Sequence, residues 1–241
     1  MFEEFKIEIL LTIVFAGLLF DWFVKSKNIK ERAFSTSSSV TRYLSEEFAL
    51  VDPLFKNSPL EFYMHCSGRK GLDSCLITLS YKNTFFIPQL QSATLSVKDV
   101  LSVKVVLRRG DLGVFALFLK KNSLDKKKRW DLDQMTTVFT KIAGLSERYT
   151  VCGDNLDVFS SLLKDVQIKE FLSKDSDNLL EITCSDSIEK KPSRIQDIRK
   201  DKQEIVFTFL LNDKDLIRKN MEFVLRVVDV LSLIALDKDV F

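Results

Sequence analysis

The sequence predicts an α+β protein: one amino-terminal transmembrane helix, then a cytosolic α+β domain with an antiparallel or mixed sheet and a largely buried carboxyl-terminal helix. Three observations predict it. An apolar run from Ile7 to Val24 opens the chain; stretches of period-2 alternation come first, then helix-spaced stretches, then alternation again; and the segment Asn220 to Leu236 is apolar around most of its circumference. Strands, then helices, then strands is the order of an α+β domain rather than of a regularly wound βαβ sheet. The resulting division is 1–6 as a short luminal amino terminus, 7–24 as anchor, 25–39 as basic juxtamembrane linker and 40–241 as the cytosolic domain.

The anchor comes first. Ile7 to Val24 is interrupted only by Glu8, Thr12 and Asp21, and at about 1.5 Å per residue it spans roughly 27 Å, about the hydrocarbon thickness of an endoplasmic reticulum bilayer. Ile7, Leu11, Phe15, Leu19 and Trp22 carry it, with Trp22 at interfacial depth. The uninterrupted run Ile9 to Phe20 is also of a length that a buried core helix uses. A cleaved signal peptide needs a positive start and a small-x-small exit. Here the start holds Glu3, Glu4, Lys6 and Glu8 and the exit is Asp21-Trp22-Phe23-Val24, so an uncleaved anchor is expected. Lys25, Lys27, Lys30 and Arg32 follow it, opposed by Glu31 alone. The positive-inside rule then puts the carboxyl-terminal bulk in the cytosol. That side fits the absence of any Asn-x-Ser/Thr site after the anchor and cysteines without disulfide spacing.

Beyond a polar joint at Ser35 to Ser39, the residues Val40, Tyr43, Leu44, Phe48 and Val51 fall at helical spacing, and Pro53 would end that helix. Leu60 to Met64 and Ser74 to Tyr81 read as strands joined by the turn Ser67 to Gly71. Thr84 to Ser96 reads as a short helix near Pro88. Val100 to Arg108 and Val114 to Leu119 read as strands, joined across Gly110-Asp111-Leu112-Gly113 as a hairpin. Helices follow at Leu124 to Ile142, Asp154 to Leu163 and Val166 to Leu172, then strands at Leu179 to Cys184 and Glu204 to Leu211, with a charged loop from Ser185 to Gln203 between them. In the last helix Glu222, Arg226, Asp229 and Ser232 form a narrow polar stripe, while Leu225, Val228 and Leu231 face away from it and are expected in the core.

Composition removes several classes of function. In 241 residues, Lys+Arg 36 nearly balance Asp+Glu 34, so the net charge of +2 exerts no overall pull on nucleic acid. With hydrophobic residues at 46%, a packed core is affordable and a disordered chain is excluded. The cysteines Cys66, Cys75, Cys152 and Cys184 form no CxxC, and His65 is the sole histidine, which removes zinc ribbons and histidine-based metal sites. No GxGxxG, Walker A, GxSxG or HExxH occurs, so no enzyme and no cofactor are expected.

Three local patterns remain. Gly68-Arg69-Lys70-Gly71 has the spelling of a KH-type GxxG loop, but strand-like sequence flanks it where a KH domain has helices, so a basic hairpin turn is expected. His65 and Cys66 are neighbours on a strand, point to opposite faces and cannot share a proton. Lys120, Lys121, Lys126, Lys127, Lys128 and Arg129, opposed only by Asp125, form a basic run. It reads either as a solvated helix end or, with Arg108 and Arg109 beside it, as a contact for ribosomal RNA phosphates.

Several landmarks in order resemble one family. They are Glu8-Ile9-Leu10-Leu11 opening the anchor, Lys25 to Asn28 after it, Leu44 to Val51, the turn Cys66-Ser67-Gly68-Arg69, Phe207-Thr208-Phe209 and Asn220-Met221-Glu222. Over about Phe5 to Leu236 the chain resembles the coiled-coil-domain-containing protein 47 (calumin) family, a subunit of the PAT complex of the endoplasmic reticulum multipass translocon. The resemblance implies a non-enzymatic, single-span membrane protein of the endoplasmic reticulum beside the Sec61 translocon and the ribosome. It also implies an Asterix-like small membrane subunit as partner and nascent multipass membrane proteins as clients. The family's acidic luminal region has no counterpart here, so calcium binding is not carried over. Its Lys/Arg/Glu-rich coiled-coil tail has none after Phe241. The other reading of the same features is a membrane-anchored tethering or lipid-interacting adaptor, held to the bilayer by its helix.

Overall fold

The structure, a computed structural model, describes residues 2–82, 98–108, 112–119, 137–139, 148–154, 156–175, 178–186, 202–211 and 214–238. It is α+β, as the order of patterns predicts. A single helix, α1, runs without interruption from Phe2 to Glu47. The polar joint expected at Ser35 to Ser39 is therefore helical. Its hydroxyls do not compete with the helix because they bond back into it: Ser37 Oγ donates to the Phe34 carbonyl at 3.0 Å, Ser39 Oγ to Thr36 at 2.7 Å and Thr41 Oγ1 to Ser37 at 2.8 Å. The helix also stops earlier than Pro53 suggests, and Leu50–Val51 forms strand β1 instead of its last turn.

Nine further strands follow among the described residues: β2 (Phe55–Ser58), β3 (Glu61–Ser67), β4 (Leu72–Ser80), β5 (Val100–Leu107), β6 (Phe115–Leu119), β7 (Thr137–Phe139), β8 (Tyr149–Gly153), β9 (Leu179–Asp186) and β10 (Gln203–Leu210). They make one antiparallel sheet in the order β1-β3-β4-β5-β10-β9-β6-β8-β7, with β2 also on β3. Strands β1 and β2 are two halves of one edge. Asp52 N still bonds the His65 carbonyl at 2.8 Å, and Pro53, with no N–H to give, interrupts the ladder there.

Three expectations are corrected. β5 and β6 are not a hairpin, because β10 and β9 lie between them. The chain crosses the end of β10 instead, held by buried Gln203, whose Oε1 accepts from Leu112 N at 3.0 Å and whose Nε2 donates to the Gly113 carbonyl at 3.2 Å. Thr137–Phe139, expected inside a helix, is strand β7, and β8 replaces what was read as connection. The expected helix at Thr84 to Ser96, most of the one at Leu124 to Ile142 and most of the loop between β9 and β10 lie outside the described residues.

Helices α2 (Leu156–Leu162) and α3 (Val166–Glu170) are short, and a π-turn at Phe171–Asp175 continues α3. The last helix, α4, spans Lys214–Lys238. One sheet face is the core. The cross-strand row Met64–Ile77–Val103–Phe207–Ile182–Leu117 is in register over six strands, and all six residues are buried. Over this face lie Ile29, Ala33, Val40 and Leu44 of α1 and Met221, Val224, Leu225, Val228 and Leu231 of α4. Phe223 stacks on Phe171 at 4.0 Å and meets Phe207 and Phe209 edge-on. The outer face is more polar: Tyr63, Thr78, Ser102 and Thr208 line up across β3, β4, β5 and β10.

The sheet's two ends are distinguished by α1. Arg32 pairs with Asp99 at the end where β4 and β5 connect, and its guanidinium lies over the Tyr81 ring at 5.1 Å. Glu47, fifteen residues on, pairs with Arg69 at the β3–β4 turn. The helix thus runs along the strands from a lower end, next to its apolar half, to an upper end at the turn.

Candidate functional site

Two halves of α1 have opposite surroundings. The predicted anchor residues Ile7, Leu11, Phe15, Leu19 and Trp22 are 44–62% exposed, with Leu10, Ile13, Phe20 and Phe23 exposed beside them. The helix is long and apolar enough to cross a membrane, and none of its most apolar window is buried in the protein. A core helix would be mostly covered, so the alternative of a buried helix is removed for this stretch. Such a continuous apolar surface is stable only against lipid or other apolar cover. From Ile29 onward the helix packs on the sheet. One unbroken helix therefore has an uncovered apolar half and a half packed on the domain.

The turn Cys66-Ser67-Gly68-Arg69 closes the upper end. Cys66 is buried on the core face opposite Cys75, and Ser67 ends β3. Burial, reinforced by the nearby Asp52 carboxylate, pushes the Cys66 thiol up to about 12, and burial raises Cys75 as well, so neither is a nucleophile. His65, on the other face, meets Asp52 at 3.2 Å. Gly68 has φ +86°, and a Cβ there would stand 2.5 Å from Cβ of Ala49, so only glycine lets the turn lie against the end of α1.

That close approach delivers Arg69. Its side chain is 16% exposed and forks between two helices: Nη1 donates to Glu47 of α1, and Nη2 donates to both oxygens of Asp229 of α4, at 3.0 Å each. The basic turn is thus a clamp that fastens α1, the β3–β4 hairpin and α4 together. Reading the sequence did not find Glu47 and Asp229 as its partners. The available signal was Asp229 itself, a carboxylate on the polar stripe of an otherwise apolar helix. Arg226, one turn earlier on that stripe, donates twice to Asp165, at 2.6 and 2.9 Å. Asp165 also caps α3, accepting from Gln167 N and Ile168 N at 3.0 Å. Partial burial works to raise its pKa, but the Arg226 and backbone hydrogen bonds outweigh that and hold it below the usual carboxylate range.

The basic run Lys120, Lys121, Lys126, Lys127, Lys128 and Arg129 lies outside the described residues, as does Arg109. Its entry point is described. β6 ends at Leu119, toward the lower end, where Phe118 pairs with Glu181 and Glu181 with Thr208. Arg108 stands at the upper end, with its amide on the Gly71 carbonyl at 3.1 Å and Nε on the Leu72 carbonyl at 2.8 Å. Among the described residues no three His, Cys, Asp or Glu side chains gather as metal ligands.

A helix with an uncovered apolar half, continued as the cover of an antiparallel sheet and fastened by an ionic clamp, is the build of a membrane-associated protein. The comparison with protein families places it: the chain belongs to the family described as PAT complex subunit CCDC47, whose family model matches residues 4–241, nearly the whole chain. Membership implies a place in a membrane-protein complex of the endoplasmic reticulum and a PAT-complex-related role. No curated protein matches the chain significantly.

Proposed function

We propose that the chain is a non-enzymatic factor of membrane-protein biogenesis, acting as a PAT complex subunit beside the ribosome and the Sec61 translocon. The observation that carries this reading is the family match over residues 4–241. The exposed apolar half of α1 supports a single span, and the Lys25 to Arg32 bias supports a cytosolic sheet domain. An Asterix-like small membrane subunit would pack beside that span. Nascent multipass membrane proteins would be the clients, and the protein would assist their insertion and folding.

In this reading the contact with the ribosome uses the basic run, with Lys126, Lys127, Lys128 and Arg129 meeting ribosomal RNA phosphates. Such contacts ignore sequence and weaken with salt, with a slope of about 0.7–0.9 per phosphate neutralised on logarithmic axes. The test is affinity purification of the tagged chain from gently solubilised microsomes. Ribosomes and Sec61 should co-purify, and replacing those four residues by Glu should lower ribosome recovery and flatten its salt dependence. Wild-type chain that remains with membranes but recovers neither ribosome nor translocon overturns the reading in favour of a membrane tether.

A further inference from the structure

Measured between its charged bounds, the apolar stretch of α1 is shorter than its eighteen residues suggest. Glu8 and Asp21 enclose it, thirteen residues apart, and the twelve residues Ile9 to Phe20 between them carry no charge. At about 1.5 Å per residue the two bounds stand roughly 20 Å apart along the helix axis, against about 27 Å of hydrocarbon in an endoplasmic reticulum bilayer. The inner bound does not reach outward to make up the difference. Side chains on a helix lean toward its amino terminus, and Lys25, one turn past Asp21, leans back to it, its Nζ donating to Oδ2 at 2.8 Å. An unpaired ammonium would snorkel toward the headgroups, whereas this one is held at the level of the carboxylate.

The other adjustments open to a short span do not close the shortfall. Sliding α1 frees one charged bound only by drawing the other into hydrocarbon, and tilting shortens its projection further. Unwinding the inner end is opposed by the domain, because the helix continues without a break and Ile29 and Ala33, eight and twelve residues past Asp21, are buried against the sheet. We propose that α1 holds the bilayer around it thinner than the surrounding membrane, the lipid conforming to a span bounded by Glu8 and by the Asp21–Lys25 pair. The proposal rests on the reading of α1 as a membrane span. It gives that span a part in biogenesis beyond anchoring, because polar groups of a client segment cross a thinned bilayer at lower cost.

The test uses the full chain in phosphatidylcholine vesicles whose monounsaturated acyl chains run from about 14 to about 22 carbons. A Trp130→Phe background leaves Trp22 as the sole tryptophan. Brominated lipid of each length, competing with an unbrominated reference lipid, quenches Trp22 in proportion to its share of the lipid around α1. Relative affinity should be roughly twofold or more higher for the shortest lipid than for one of about 18 carbons, and lower again for the longest. Asp21→Leu/Lys25→Leu moves the inner bound to Lys27, roughly 28 Å from Glu8. That variant should prefer longer chains than wild type, with the thermal transition of the domain unchanged. Equal affinity for all chain lengths, a wild-type optimum at about 18 carbons, or an unmoved optimum in the variant overturns the proposal. Absence of quenching by every brominated lipid overturns the membrane-span reading itself, a result distinct from quenching without preference.

Discussion

Arg69 illustrates how one side chain can set the relation of three elements. The clamp is partly open to water, since Glu47 and Asp229 are more exposed than the arginine, so solvent screens part of its Coulomb energy. Arg69→Ala is expected to cost about 2 kcal/mol, mostly through two stranded carboxylates and a lost fork. Arg69→Lys should recover only part of this, because an ammonium cannot serve both helices in one plane. Denaturant unfolding of the three proteins in the same detergent checks the order. Asp165 provides a pH-dependent counterpart. Its folded pKa lies below the ordinary value of about 4, so its contribution is complete above that pH and drains away as pH falls through the lower folded value. Asp165→Asn keeps a capping oxygen but loses the charge. It should be about 1 kcal/mol less stable at neutral pH and lose less stability on acidification than wild type. Parallel acid limbs for the two proteins would contradict this. Neither Arg69's partners nor the double duty of Asp165 was legible in the sequence, because each joins residues far apart in the chain.

Among elements, legibility followed burial pattern. Strands β5 and β10 have one face in the core and alternate throughout, and β4 and β9 do so apart from one bulge each, so their residues were readable to within two or so at each end. The pieces β1, β2, β7 and β8 are two to five residues long, too short for a period to register. Strand order was hidden for another reason. A Gly-Asp-Leu-Gly sequence signals a hairpin locally, whereas Gln203, some ninety residues away, holds the chain across β10. In the last helix the core face was readable, although the helix begins at Lys214, six residues before the apolar run from Asn220. Leu225, Val228 and Leu231 are each at most 3% exposed. Val228→Asp should therefore bury an unpaired carboxylate and cost more than about 3 kcal/mol, seen as collapse of the thermal transition. An unchanged melting temperature would place that face outside the core.

At the scale of the whole molecule, the family assignment and the uncovered half of α1 lead to one prediction. The chain should remain in the pellet after alkaline extraction of microsomes, and protease added outside intact vesicles should remove the sheet domain. Release into the supernatant would contradict the span, and protection of the domain would contradict its orientation. The apolar helix was legible because eighteen largely apolar residues need no tertiary information to be recognised. The continuity of that apolar stretch with the domain was not, since five consecutive hydroxyl residues read as a break until their carbonyl partners are seen.

An unbroken α1 also makes the compass bearing of the domain a matter of arithmetic. A flexible tether would let the sheet swivel freely above its root. A helix transmits phase: each residue between Val24 and Ile29 advances the domain by about 1.5 Å and turns it by about 100° about the helix axis. Inserting a single alanine there would leave composition, anchor and core intact, yet point the outer sheet face toward a different neighbour in the plane of the bilayer. Inserting seven would restore the bearing to within about 20° while lifting the domain by roughly two turns. Loss of complex assembly after one added residue and recovery of azimuth, though not of height, after seven would reveal which of the two the neighbouring subunits read.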